Sequence, residues 1–504
     1  MKGVKQILAL SFILLLGFSC QNKVKEQTVA ETTTFSDYNE PFRPQYHFSP
    51  PANWMNDPNG MVFHKGEYHL FYQYYPDSNV WGPMHWGHAT SKNLIEWKNL
   101  PVAIAPDSLG WIFSGSAVLD SENSSGLGTA ENPPLVAIYT YHNNVKGDAG
   151  RIDFQTQGIA YSLDDGVSWE KFSGNPVLAN PGIRDFRDPK VTKVEVDGKA
   201  MWVMSLAVKD KISFYSSSNL LEWEHESDFN PAWAAYGGVW ECPDLFPLQS
   251  PNGEQKWVLL VSINPGGPNG GSATQYFVGD FDGETFTTNQ EEVKWLDHGT
   301  DNYAGVTWSN VPDADGRTIF IGWMSNWDYA QVVPTEVWRS AMTLPRELSL
   351  YDEGEELWVA SNPVKEVEQL RDEALTIEGE EVALENELLE FSLKPKAGDF
   401  SGTFENEFGE ILVIGKREDA LFIDRTNSGL TNFKEGFASV MTAPLNGLEI
   451  NEVRIMLDRS SVEVFINDGA LAMTALVFPE HPYSKLLLNG FEKENKAYSL
   501  KKIW

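Results

Sequence analysis

MVFHKGEYHLFYQYYP, Met61 to Pro76, reads as a strand, a Lys65-Gly66 turn and a second strand. The theme recurs. MWVMSLAV (Met201 to Val208) leads into KISFYSS, and KWVLLVSIN (Lys256 to Asn264) and TIFIGWMSN (Thr318 to Asn326) repeat it. From Trp54 to about Asn362 there is almost no helical periodicity; short apolar strands alternate with Gly, Asn, Asp and Pro turns.

A weak internal repeat points to a radial architecture. SKNLIEWKNL at 91–100 resembles SSNLLEWEHE at 217–226, and SLDDGVSWEKF at 162–172 and GDFDGETFTT at 279–288 are related variants. In each a strand ends, a turn follows, and an aromatic packs back near the next cluster. Five clusters are counted: Trp54 to Asn99, Ser114 to Phe172, Asp188 to Glu226, Glu241 to Thr288 and Ala304 to Leu350. The expected fold is all-β, a five-bladed β-propeller over 41–362. The competing expectation is a generic sandwich or barrel. Beyond a segment at 363–374 that reads as a short helix or linker, strands resume (LLEFSLKP, EILVIG, VRIMLDRSSVEVFIN, AMTALVFP), with the alternation of a β-sandwich over 375–504.

The N-terminus reads as processing sequence. Met1-Lys2 and Lys5 are basic, Ile7 to Leu16 is apolar, and Gly17, Phe18, Ser19 and Cys20 follow. The apolar stretch is about half of what a membrane-spanning helix needs. The pattern resembles a bacterial lipoprotein signal over 1–20, which implies a lipid on Cys20 and an exported, membrane-attached protein at the cell surface or in the periplasm. An ordinary cleaved signal with an incidental Cys20 is the other reading. Residues 21–40, polar and rich in Thr and Glu, read as a tether. The remaining cysteine, Cys242, then has no partner, so an exported body of this size rests on its core rather than on disulfides.

Acidic side chains number 71 against 38 basic ones, a formal charge of -33. Such a surface repels nucleic acid phosphates, anionic lipid and polyanionic glycans. A neutral polymer read by hydroxyl hydrogen bonds and ring stacking is compatible, and the 18 tryptophans fit it, although a β-rich core absorbs indoles too.

Three short runs set a carboxylate among aromatic and turn residues: WMNDPNG (Trp54 to Gly60) with Asp57, RDP (Arg187 to Pro189) with Asp188, and WECPD (Trp240 to Asp244) with Glu241. Asn-Asp-Pro-Asn-Gly is a tight-turn sequence, and Asp57 taken alone could cap that turn. Asp188 alone reads as a salt-bridged turn residue. Glu241, between an indole and a thiol, sits where desolvation would hold a carboxyl protonated, a place that buried structural glutamates also occupy. Two carboxyl groups, one charged and one protonated, are what glycosidic bond cleavage requires. A sandwich or barrel would not explain why these runs open separate clusters.

Together the three runs resemble glycoside hydrolase family 32, the invertases, inulinases, levanases and fructan β-fructosidases, over roughly 42–504. The resemblance implies a five-bladed propeller followed by a β-sandwich, a retaining reaction, and no metal or cofactor. It implies Asp57 as nucleophile on C2 of a fructosyl unit and Glu241 as acid and then base. Asp188 would hold fructose hydroxyls and stabilise the oxocarbenium-like transition state, with Arg187 orienting it and contacting the same ring. Cys242 would tune the acid's protonation; its thiol reads otherwise as a buried core atom. Asn56, expected to hydrogen-bond sugar hydroxyls, Gln73, Trp54, Trp81, Phe113, Ser114 near a sugar hydroxyl, and Tyr303 beside Asp301 match pocket positions; each alone is as readily packing as contact, and the resemblance favours contact for Gln73, Trp81, Phe113 and Ser114. The implied substrate is a fructan such as levan or inulin, with sucrose as a further one, cut from the chain end; an endo-acting levanase carries the same motifs. An arabinan- or xylan-active propeller and an idle glycan-binding lipoprotein are the alternatives from other classes. WMNDPNG argues against the first, and the presence of Asp57 and Glu241 against the second. Glu463, in DRSSVEVFINDG, is expected at a domain interface, Glu336 in a salt bridge or at the rim, and His85 and His88 on a strand edge without a third ligand.

Overall fold

The computed structural model describes residues 37–504 except 197, 355 and 378. The signal at 1–20, Cys20 and the tether as far as residue 36 lie outside the described residues. Among those described, no helix is long and apolar enough to cross a membrane.

Five antiparallel sheets follow one another along the chain. Blade 1 is Asn53–His64, Glu67–Tyr75, His85–Ser91 and Trp97–Ile104. Blades 2, 3 and 4 begin with Trp111–Leu119, Phe186–Val196 and Val239–Gln249, and blade 5 with Tyr303–Thr307. Each of these inner strands touches the next, and the fifth touches the first, which closes a ring. Closure also uses a short parallel pairing: Asn53 and Trp54 lie against Trp338 and Arg339, and Asn53 N–H donates to Val337 O at 2.7 Å.

The opening hairpin is built as its sequence dictates. His64 faces Glu67 across Lys65-Gly66, with φ of 48° and 88° at the two turn residues. A two-residue turn with both φ positive matches strand twist and favours glycine at its second position.

WMNDPNG is not a turn. It lies inside the inner strand of blade 1, where pairing with Glu67–Tyr75 slips between Met55 and Pro58 and again between Asn59 and Val62. Turn-forming residues are used for a bulged strand. Gly60 has φ +53°, and a Cβ there would come within 2.5 Å of the Trp86 ring. Slips recur on the other inner pairs: Ile112/Gly115, Ser205/Ala207 opposite Asp188, Glu241/Asp244 and Tyr303/Val306. Asp188, Cys242 and Ala304 take φ of 63°, 45° and 52° there. A bulge turns the strand and re-aims side chains, so five blades bend their inner strands at the propeller's mouth.

The second domain is two six-stranded sheets packed face to face. Ser461–Ile466 is buried along its whole length. Val462, Val464 and Ile466 enter the sandwich core while Phe465 joins the core shared with the propeller, the period of two expected of a strand covered on both faces. The segment at 363–374 is not a free linker. Lys365–Leu370 is a 3₁₀ turn, and Val364, Val367 and Leu370 recur every third residue and bury into the propeller-side core. Arg371–Leu375 already pairs with Lys496–Leu500. The last residues of the expected tether also belong to the fold: Tyr38 is buried and stacks on Trp504 at 4.3 Å between ring centres.

Between the domains lies a network of buried charge. Glu463 accepts from Arg346 Nη2 at 2.5 Å, His47 Nε2 at 2.8 Å and Leu344 N–H at 2.9 Å. Arg346 Nη1 reaches Asp297 at 2.9 Å, His47 Nδ1 reaches Asp458 at 2.8 Å, and Arg425 reaches Asp301 at 2.8 Å.

Candidate active site

Four of the five bulges bring Asp57, Ser114, Asp188 and Glu241 to one cavity of about 410 Å³, which Asn56, Gln73, Trp81, Phe113 and Arg187 also line. Asp57 Oδ2 accepts from Ser114 Oγ at 2.7 Å and Oδ1 from Asn56 Nδ2 at 3.0 Å. Ser114 is therefore a partner of the carboxylate itself. Asn56 is held in turn by Trp54 Nε1 at 2.7 Å. Trp54 does not line the cavity; it has no exposed surface and packs on Trp323 and on Trp327, itself a wall residue. Gln73 Nε2 donates to Asn59 Oδ1 at 2.8 Å and to Ile112 O at 3.0 Å, which ties blade 1 to blade 2.

Glu241 is not enclosed by its chain neighbours. Trp240 turns into the core between blades 3 and 4 and donates Nε1 to Ala235 O. The Glu241 carboxylate instead takes Arg187 Nη2 at 2.8 Å and Nε at 3.2 Å on one oxygen and the Tyr303 hydroxyl on the other. Arg187 also bonds Asp185 at 2.7 Å and lies 3.8 Å from Asp188. Tyr303 is buried behind Glu241; burial and the adjacent carboxylate push its phenol far above the ordinary range, so it stays a donor.

Cys242 corrects the sequence reading. Its thiol does not address Glu241 but sits 3.6 Å from Asp57 Oδ2 and 3.7 Å from Asp188 Oδ2, because the bulge rotates it away from its neighbour. Its N–H donates to Asp188 Oδ2 at 3.1 Å. Burial, with Asp188 and Asp57, raises the thiol pKa well above normal, so it remains S–H between the two acids.

Burial raises Asp57 above the usual carboxylate range; Ser114 and Asn56 pull it back and Glu241 pushes it further up. Burial raises Asp188 likewise, with Arg187 opposing and Glu241 and Asp57 adding. The cavity thus holds an excess of negative charge in a partly dry place, which favours a positive charge developing within it. Among the described residues no group of three His, Cys or carboxylate side chains is placed to hold a metal ion.

Sequence reasoning missed Asp185, His142, Phe154, Gln155, Arg184, Trp327 and Gln331, all on the cavity wall. Asp185 had a signal: Arg184-Asp185 repeats the Arg187-Asp188 pair three residues on. The others carry none that local sequence supplies. His85 and His88 lie on the third strand of blade 1, between two partners rather than on an edge, and His88 is buried against His69 at 3.1 Å. Glu336 is exposed, and its backbone oxygen accepts from Asn79. Asp301 and Glu463 are at the domain interface.

A propeller with several carboxylates converging on a cavity at its mouth is the equipment of a glycosidase. Models of the glycosyl hydrolases family 32 N-terminal domain and C-terminal region match residues 47–361 and 366–504. The chain is 47% identical over 504 residues to a levanase of Bacillus subtilis (strain 168), covering 94% of this chain and 73% of that one. It superimposes on the crystal structure of exo-inulinase from Aspergillus awamori with a TM-score of 0.84 at 35% identity, covering 93% of this chain and all of the other. The β-fructofuranosidase of Schwanniomyces occidentalis, solved with fructosyl-erythritol, follows at 0.82 and 31%, covering 92% and 99%. The chain belongs to glycoside hydrolase family 32.

Proposed function

We propose that this enzyme removes terminal β-D-fructofuranosyl units from a fructan with retention of configuration. The observation that carries the reading is the convergence of Asp57, Asp188 and Glu241, from three blades, on one cavity. Asp57 is oriented by three neutral donors, Ser114, Asn56 and the Cys242 thiol, and no cation, whereas Glu241 is gripped by Arg187 and the Tyr303 hydroxyl. In this scheme Asp57 attacks C2 while Glu241 gives its proton to the departing oxygen. The fructosyl–Asp57 ester is then opened by a water from which Glu241 takes a proton. Asp188, held by the Cys242 N–H, accepts from fructose hydroxyls and opposes the positive charge at C2. The exo preference is supported by relatives named exo-inulinases, 39% to 40% identical over more than nine-tenths of this chain. Export and a lipid on Cys20 rest on the sequence of residues 1–20 and would be read by membrane release of a Cys20→Ser protein.

Product analysis on levan, inulin and sucrose tests the assignment. Fructose alone from a polymer, lost in Asp57→Ala, is the expected result. An oligosaccharide ladder would make the enzyme endo-acting, and inertness on all three would overturn the reading.

A further inference from the structure

Blade 2 carries a row of side chains that bond cleavage does not use. Trp111, His142 and Gln155 lie directly opposite one another on three neighbouring strands. His142 and Gln155 line the cavity with Phe154 and Arg184. The imidazole stacks on Phe113 with ring centres 4.2 Å apart and planes 18° apart, lies 5.7 Å from Trp111, and meets Phe154 edge-on at 5.1 Å. Rings on several sides fix its plane.

Hydrogen bonds then assign its proton. Gln155 Oε1 accepts the Phe186 N–H at 2.8 Å, which orients the amide so that Nε2 faces His142 Nδ1 at 3.3 Å. An amide NH₂ only donates, so Nδ1 accepts. Burial, with Arg187 and Arg184 nearby, brings the imidazole pKa down to about 4, so at neutral pH the ring is uncharged and its one proton is on Nε2. Among the described residues that N–H meets no acceptor.

We propose that His142 is a specificity-determining residue whose Nε2–H donates to a hydroxyl of the sugar unit that leaves, the second unit of a β-fructan chain. This rests on the fructan-hydrolase reading above. Depth separates the two sugar positions. Asn56, Gln73 and Asp188, which surround the unit attacked, are buried, whereas His142 is half-buried at the end of its strand and Arg184 beside it is exposed. A fixed, neutral donor on an aromatic platform suits a neutral polyhydroxyl ring, with the rings giving stacking area and the N–H giving orientation.

The test compares two substrates of the full chain: a β-fructan trisaccharide, which fills the second position, and methyl β-D-fructofuranoside, which leaves it empty of sugar. His142→Phe keeps a stacked ring and removes the donor. The ratio of the two kcat/KM values, trisaccharide over methyl fructoside, should fall about tenfold. Because the ratio cancels the concentration of active enzyme, partial unfolding of the variant does not blur it. His142→Gln, which restores an N–H donor, should recover most of the ratio. A ratio unchanged in His142→Phe, or equally low in both variants, would overturn the proposal. A wild-type enzyme inert on both substrates would instead remove the fructan reading beneath it.

Discussion

Two groups of buried acids, one in the mouth of the propeller and one between propeller and sandwich, are built on opposite terms. At the interface every carboxylate has a cation: Glu463 has Arg346 and His47, Asp297 has Arg346, Asp458 has His47, and Asp301 has Arg425. In the mouth, Asp185, Asp188 and Glu241 crowd around Arg187, whose close bonds go to Asp185 and Glu241, and Asp57 has no cation at all. The pKa directions separate accordingly. Burial would raise Asp458 and Glu463, but His47 and Arg346 outweigh it and both are lowered. At Asp57 and Asp188 burial prevails and both are raised. Buried charge matched by countercharge holds domains together; buried charge left short of it is available to a cation that exists only during reaction.

The contrast can be broken first at Asp57. Asp57→Asn should lower kcat on a fructan by about 10⁵, or about 7 kcal/mol, with Tm unchanged or higher, since an uncompensated charge is removed. A fall in Tm, followed by calorimetry, would mean that the mouth is architecture as well. At the interface the reverse is expected. Arg346→Met strands Asp297 without its cation and leaves Glu463 only His47, and should cost about 3–5 kcal/mol in denaturant unfolding, with kcat per folded molecule retained. Titration sharpens the same point. His47 is raised from 6.5 to about 9, so its contribution is complete below about pH 6.5 and is lost as pH climbs through 9. That is about 3 kcal/mol, and a His47→Gln protein should show a flattened alkaline limb in Tm against pH. The smallest effect is expected at Ser114→Ala, which removes one of the three donors on Asp57. A hydrogen bond to a charged group is worth about 2 kcal/mol, so kcat should fall about thirtyfold with little change in Tm.

Strand clusters were legible because apolar runs and turn residues alternate at a spacing that only a β-fold tolerates, and the carboxylates because each sits in a run too specific to be chance. What local sequence hides is direction. Asn-Asp-Pro-Asn-Gly has turn chemistry yet sits in a bulged strand, since pairing with Glu67–Tyr75 supplies the context that propensity lacks. Cys242 looks adjacent to Glu241, but its left-handed backbone sends the thiol to the other two acids. Trp54 reads as a pocket indole and does not line the cavity. Tyr38 reads as tether because its partner, Trp504, is at the other end of the chain. His142 is an ordinary histidine at a strand end until Gln155 and Phe113 are placed around it.

The parallel pairing of Asn53 and Trp54 with Trp338 and Arg339 has a bearing on biosynthesis. Asp57 is among the first residues of the folded body to leave the ribosome, and the two-residue clasp that anchors its strand among the last of the propeller. A chain interrupted before the fifth blade therefore carries every acid of the reaction without the ring that aims them. Competence arrives with completion, and an unfinished copy is silent rather than promiscuous.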